Sequence, residues 1–109
     1  MAGSRVYFDV VHDAARLLGA QVRAGRRERR WTAAELARRG GISRVTLLKV
    51  EHGDPTVSLG IALQVAALVG VPLFDRDERR LAADARAAQA ALIGRRVRPA
   101  PEPEADLDF

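Results

Sequence analysis

Apolar residues along this 109-residue chain recur three and four apart, and no run shows the strict apolar/polar alternation of a half-buried strand. The pattern therefore predicts an all-α protein of five helices. The first follows Asp9 or Asp13 as N-cap and runs to about Arg30, with Leu17 or Leu18, Val22 and Arg26 along one side. Thr32 followed three residues later by Glu35 is a capping-box pattern, so a second helix starts at Ala33, turns Leu36 and Ala37 inward, and stops at Gly40-Gly41. Ile42 is a single apolar plug before Ser43, the N-cap of a third helix that reaches about His52 and stops at Gly53. Leu47 and Val50, three apart, point into a core, whereas Ser43, Arg44, Thr46 and Lys49 fall on the other side.

Asp54-Pro55-Thr56 reads as a turn, and Ser58 caps a fourth helix that ends at Gly70. Leu59, Ala62, Val65, Ala66 and Val69 share one of its faces and complete the core. Ile61, Leu63 and Leu68 lie elsewhere on it, so it is apolar over most of its circumference and needs cover from the next helix or a second subunit. Asp75 or Asp77 caps a fifth helix of about eighteen residues, with acids at its start and arginines at its end, as the helix dipole favours. Its stripe of Leu81, Ala85, Ala88 and Leu92 is narrow enough for close helix–helix approach, either to a partner or back onto its own domain. The organisation expected is an apolar N-terminal segment over 1–12, a helical domain over 13–73, a C-terminal helix over 74–96, and a tail over 97–109.

The two ends differ. Val6, Tyr7, Phe8, Val10 and Val11 are too apolar for a solvated arm and are expected to dock on the body or on a second subunit. The tail, VRPAPEPEADLDF, alternates proline with acids and cannot build a core, so disorder is expected of it. It ends in Leu107 and Phe109, the layout of a linear peptide that docks on binding, although an ordinary frayed terminus has the same composition.

Charge changes the picture more by position than in total. The formal net charge is +4, but residues 16–49 hold Arg16, Arg23, Arg26, Arg27, Arg29, Arg30, Arg38, Arg39, Arg44 and Lys49 against Glu28 and Glu35, while residues 99–109 hold only acids. A basic body of this kind attracts phosphate polymers by counterion release; arginines that merely solubilise helix faces are the alternative. Cysteine is absent, which removes disulfides and thiolate metal sites. No metal-ligand spacing, nucleophile elbow or phosphate loop occurs, and His12 and His52 are far apart, so neither an enzyme, a cofactor nor a metal is expected. His52 fits a helix C-terminus, where positive charge is welcome. No stretch is long enough to cross a bilayer and no leader pattern opens the chain, so a cytoplasmic, nucleoid-associated protein is expected.

The run RagRrerrWTaaeLArrgGISrvTLlkvEhG, with ALVGVP beyond it, resembles the helix-turn-helix of the Cro/phage-repressor (XRE) family over roughly residues 17–73. Val57-Ser58-Leu59-Gly60 and the tail are similar, more narrowly, to its HipB-like antitoxin branch. The resemblance implies a lambda-repressor-like fold and a recognition helix over residues 44–51 that enters the major groove of double-stranded DNA. Arg44 would take guanine N7 and O6, Thr46 and Lys49 would reach other base edges, and Val45 would offer a methyl contact to thymine. Ser43 serves as a cap and a phosphate donor. The family commonly has a glutamine after the residue at Thr32; this chain has Ala33, so helix-start N–H groups there, with Arg38 or Arg39, are expected to hold the DNA backbone. An arginine on an inner face needs a partner, and the resemblance implies a structural ion pair between Arg26 and Glu51. Trp31 closes the corner between the first two helices or stacks on a base.

Three functions follow. The first is a homodimeric repressor of a palindromic operator that is also the antitoxin of a HipA-like Ser/Thr kinase toxin, which would engage the tail. The second is a stand-alone or phage-type XRE regulator. The third is a protein-interaction adaptor that uses the fold without reading bases.

Overall fold

The computed structural model describes residues 6–95. Among them are five helices and no strand: α1 (Asp9–Glu28), α2 (Ala33–Gly40), α3 (Arg44–Glu51), α4 (Leu59–Leu68) and α5 (Glu78–Arg95), with a short 3-10 turn at Leu73–Asp75. They fall into two compact units that divide between Asp75 and Arg76.

In the first unit, three of the four helix starts are capped as their residue types dictate. The Glu35 N–H donates to Thr32 Oγ1 at 3.0 Å and the Thr32 N–H to Glu35 Oε1 at 2.9 Å, a reciprocal capping box. Ser43 Oγ accepts from the Thr46 N–H at 3.0 Å, and Ser58 Oγ from the Ile61 N–H at 3.4 Å. The start of α1 departs from expectation. Its N-cap is Phe8, with no side-chain cap, so neither Asp9 nor Asp13 fills that position. Asp9 lies instead in the first turn, where a carboxylate favours the helix dipole. Residues 9–12 thus belong to α1 and not to a separate apolar segment. Val6, Phe8 and Val10 are exposed, and only Tyr7, edge-on to His12, and Val11 are half-buried.

All four helices of this unit stop in the same way. One residue adopts a left-handed conformation while the next donates back five residues: Trp31 to Arg26 O, Ile42 to Ala37 O, Asp54 to Lys49 O and Val71 to Ala66 O. Glycine fills the left-handed place at Gly41, Gly53 and Gly70, but at the end of α1 it is Arg30, with φ 58°. Helix α1 accordingly ends at Glu28, two residues before the expected Arg30.

Val22, Leu36, Ala37, Leu47, Val50, Val65, Ala66 and Val69 form the buried core. The side chains of Val22, Leu36, Leu47 and Val65 are sealed completely, and each such burial stabilises the fold by about 1.5–3 kcal/mol. Of the two candidate leucines on α1, Leu18 packs against the core and Leu17 is exposed. Leu59, expected in the core, is 73% exposed in the first turn of α4. An open apolar groove remains beside it, lined by Val11, Ala15, Leu18, Val57, Leu59 and Ala62.

Two glycines of α1 let backbones meet. A methyl added at Gly19 would lie 2.3 Å from Val50 O and 2.7 Å from Glu51 O, and one at Gly25 would lie 2.7 Å from Val69 O. The ends of α3 and α4 thus rest directly on α1.

In the second unit, the Arg80 N–H donates to Asp77 Oδ1 at 2.8 Å, which makes Asp77 the cap of α5. Asp75 belongs to the 3-10 turn and has φ 62°. Asp84 pairs with Arg76 and Arg80, and Arg76 beside it holds its carboxyl below the ordinary carboxylate range. Leu81 is half-buried, while Ala85, Ala88 and Leu92 are exposed. The expected arginine end of α5 and the tail from 97 onward, including Leu107 and Phe109, lie outside the described side chains.

Candidate nucleic-acid interface

Helix α3 is held from behind and open in front. Leu47, Val50 and Glu51 are buried, whereas Arg44, Val45 and Lys49 are exposed, Val45 to 65%. The Ser43 hydroxyl, which accepts from the Thr46 N–H, also donates to Thr46 Oγ1 at 3.0 Å. That bond joins cap and side chain, fixes the Thr46 rotamer and leaves its hydroxyl hydrogen to donate outward. Sequence reasoning placed both residues on this face; the link between them depends on rotamers and was not legible.

The rear support is an ion pair. Arg26 Nε donates to Glu51 Oε2 at 2.7 Å and Nη2 to Oε1 at 3.0 Å, while Nη1 reaches Trp31 O at 3.1 Å. The Glu51 side chain is 3% exposed and that of Arg26 14%. All five polar atoms at the two side-chain ends are therefore bonded, as a pair removed from water requires. The hydrogen bond to Glu51 raises Arg26 above the ordinary guanidinium pKa, against the effect of burial. One side chain thus ties α1 both to α3 and to the corner before α2.

Trp31 is half-buried against the core, as a residue closing that corner should be. Its ring also carries the Arg39 guanidinium at 4.1 Å from the centroid and that of Arg29 at 5.8 Å. Arg29 is drawn inward, with Nη1 donating to Gly25 O at 3.3 Å. Arg39 and Arg38 beside it are both exposed. Ala33 opens α2 half-buried, so only its backbone N–H, one of the first-turn donors with no intrahelical acceptor, is available at that position. The stack of Arg39 on Trp31 joins residues eight apart across a turn and has no periodic signal in the sequence.

Two short helices joined by a glycine turn, the second capped, propped and facing outward with a cationic surface, define a helix-turn-helix domain. Residues 22–75 match the helix-turn-helix family model. The match supports the XRE-type, Cro/repressor class within that family, and with it a DNA-binding regulator. No curated protein and no solved structure matches the chain. Among the described residues, no helix is long and apolar enough to cross a membrane.

Proposed function

We propose that this protein is a sequence-specific repressor that binds double-stranded DNA as a homodimer, with α3 of each copy in successive major grooves of a palindromic operator. The supporting observation is the exposed face of Arg44, Val45 and Lys49 on a helix whose opposite face is fixed by Leu47, Val50 and the Arg26–Glu51 pair. Arg44, in the first turn, takes guanine; Thr46 and Lys49 reach neighbouring base edges, and Val45 packs on a thymine methyl. Ser43, the Ala33 N–H, Arg38 and Arg39 hold phosphates. The exposed small-residue stripe of α5 is the surface we assign to a second copy or a partner.

Arg44→Ala should lose affinity for the operator while keeping it on random duplex, relaxing preference at one position per half-site. Arg38→Ala should weaken both equally. Equal losses on the two duplexes for both variants would refute the base-reading assignment, and footprinting on DNA upstream of the gene would show no protection if the protein is an adaptor.

As a finer reading we propose an antitoxin of a HipA-like Ser/Thr kinase, which Leu107 and Phe109 of the acidic tail would engage. It rests on Val57-Ser58-Leu59-Gly60 and the composition of residues 97–109. A kinase-like reading frame abutting this gene, and loss of a co-purifying kinase after truncation at Arg98 with DNA binding kept, would support it. Absence of such a frame favours the stand-alone regulator.

A further inference from the structure

The flank of α1 beside the recognition helix carries Arg23 and Arg27, one helical turn apart, with Arg30 following at the helix stop. Ala20 and Ala24 between them are small. Arg23, Arg27, Ala20 and Ala24, together with Glu28 and Glu51, line a broad open trough beside α1, and Arg30 lies outside that lining. Glu51 is already committed to Arg26, and Glu28 is the only acid in residues 16–30. Arg23, Arg27 and Arg30 are exposed and form no ion pair among the described residues. Two unpaired guanidinium groups along the trough and a third at the helix stop, against a single uncommitted carboxylate, are a surface for a polyanion.

The backbone at Arg30 is the independent observation. Four helices of this domain stop with a left-handed residue; three use glycine and α1 uses arginine, at φ 58°. A left-handed conformation is strained for a residue with a Cβ and not for glycine. Strain that glycine would relieve is retained where the side chain has a use. The Arg30 side chain is exposed and has no hydrogen-bond partner among the described residues, so it is free to meet a ligand.

We infer that Arg23, Arg27 and Arg30 clamp the phosphate backbone of the strand that borders the groove entered by α3, seated along the trough floored by Ala20 and Ala24. The inference rests on the DNA-binding reading and adds to it a second contact surface, on α1, in place of the side-chain contact that Ala33 cannot make. The trough shares Glu51 with α3 and so opens at the C-terminal end of that helix.

The test uses the full-length chain and a random-sequence 24-base-pair duplex, with affinity followed by fluorescence anisotropy from about 50 to 200 mM NaCl. Each phosphate contact contributes about 0.9 to the slope of log affinity against log salt, which is about 3.5-fold over that range. In the homodimer, which presents the pair twice, Arg23→Ala/Arg27→Ala should flatten the slope by about 3.6, so that the variant loses about 150-fold less affinity across the series than the unaltered chain. Arg23→Lys/Arg27→Lys should keep the slope. Arg79→Ala/Arg86→Ala, an equal charge change on α5, should also leave it unchanged. Arg30→Gly should raise the melting temperature and, in the homodimer, flatten the slope by about 1.8.

An unchanged slope in Arg23→Ala/Arg27→Ala, or a fall as large in Arg79→Ala/Arg86→Ala, overturns the clamp while leaving DNA binding through α3 intact. A raised melting temperature with an unchanged slope for Arg30→Gly removes Arg30 from it. Absence of duplex binding by the unaltered chain overturns both the clamp and the reading it rests on.

Discussion

Placing a methyl group on Gly19 sets two effects of opposite sign against each other. In an exposed helix interior, Gly→Ala stabilises by about 1 kcal/mol through helix propensity. At Gly19 the new Cβ would lie 2.3 Å from Val50 O, 2.7 Å from Glu51 O and 3.0 Å from Glu51 C. Ordinary carbon–oxygen contacts begin at about 3.3 Å, so the closest approach is short by about 1 Å. The atoms it meets are backbone carbonyls of the last turn of α3, which cannot rotate aside as a side chain would. Helix α1 must withdraw from α3, loosening the seat of Val22 and the Arg26–Glu51 pair. Overpacking a close-packed site costs about 1–3 kcal/mol, and two carbonyls struck at once put this case at the upper end. Less the propensity gain, Gly19→Ala should destabilise by about 2 kcal/mol, a fall of about 8–16 °C in melting temperature for a domain of this size.

Gly60 supplies the control. It lies in the first turn of α4, exposed, with nothing within 4 Å of an added Cβ. Gly60→Ala should therefore raise stability by about 0.4–1 kcal/mol. Thermal unfolding followed at 222 nm reads both variants. If Gly19→Ala melts at or above the temperature of the unaltered chain, α1 and α3 are not in direct backbone contact and the reasoning fails.

Other substitutions test separate parts of the structure. Glu51→Ala should destabilise by about 3 kcal/mol or more, because it leaves the Arg26 guanidinium unpaired at a largely buried position; Arg26→Met/Glu51→Leu should cost less in chemical denaturation than either single change to alanine. Leu47→Ala, at a side chain with no exposure, should cost about 2–5 kcal/mol and weaken DNA binding only through loss of folded protein. Hydrogen bonds from the Thr56 hydroxyl and N–H hold Asp54 below the ordinary aspartate value of 3.8. The folded value being the lower one, the stability this turn contributes is complete above pH 3.8 and is lost as pH falls through the folded value. Asp54→Ala should show a shallower acid loss of stability than the unaltered chain below pH 4 in urea titrations.

The sequence by itself determined the helical class, the second, third and fourth helix starts, and the outward face of α3. Each depends on residues within four positions of one another: a hydroxyl at Thr32, Ser43 or Ser58 aimed at an N–H three residues on, or apolar side chains brought to one face by the helical repeat. The glycine stops at Gly41, Gly53 and Gly70 were legible for the same local reason. What only the tertiary structure decided are distances between segments remote along the chain. These include the seat of α3 on Gly19, the choice of Leu18 over Leu17, the exposure of Leu59, the stack of Arg39 on Trp31, and the arginine at the left-handed stop of α1. A helical repeat says which side chains share a face, but how far a neighbouring helix extends over that face is set by backbones meeting across the core.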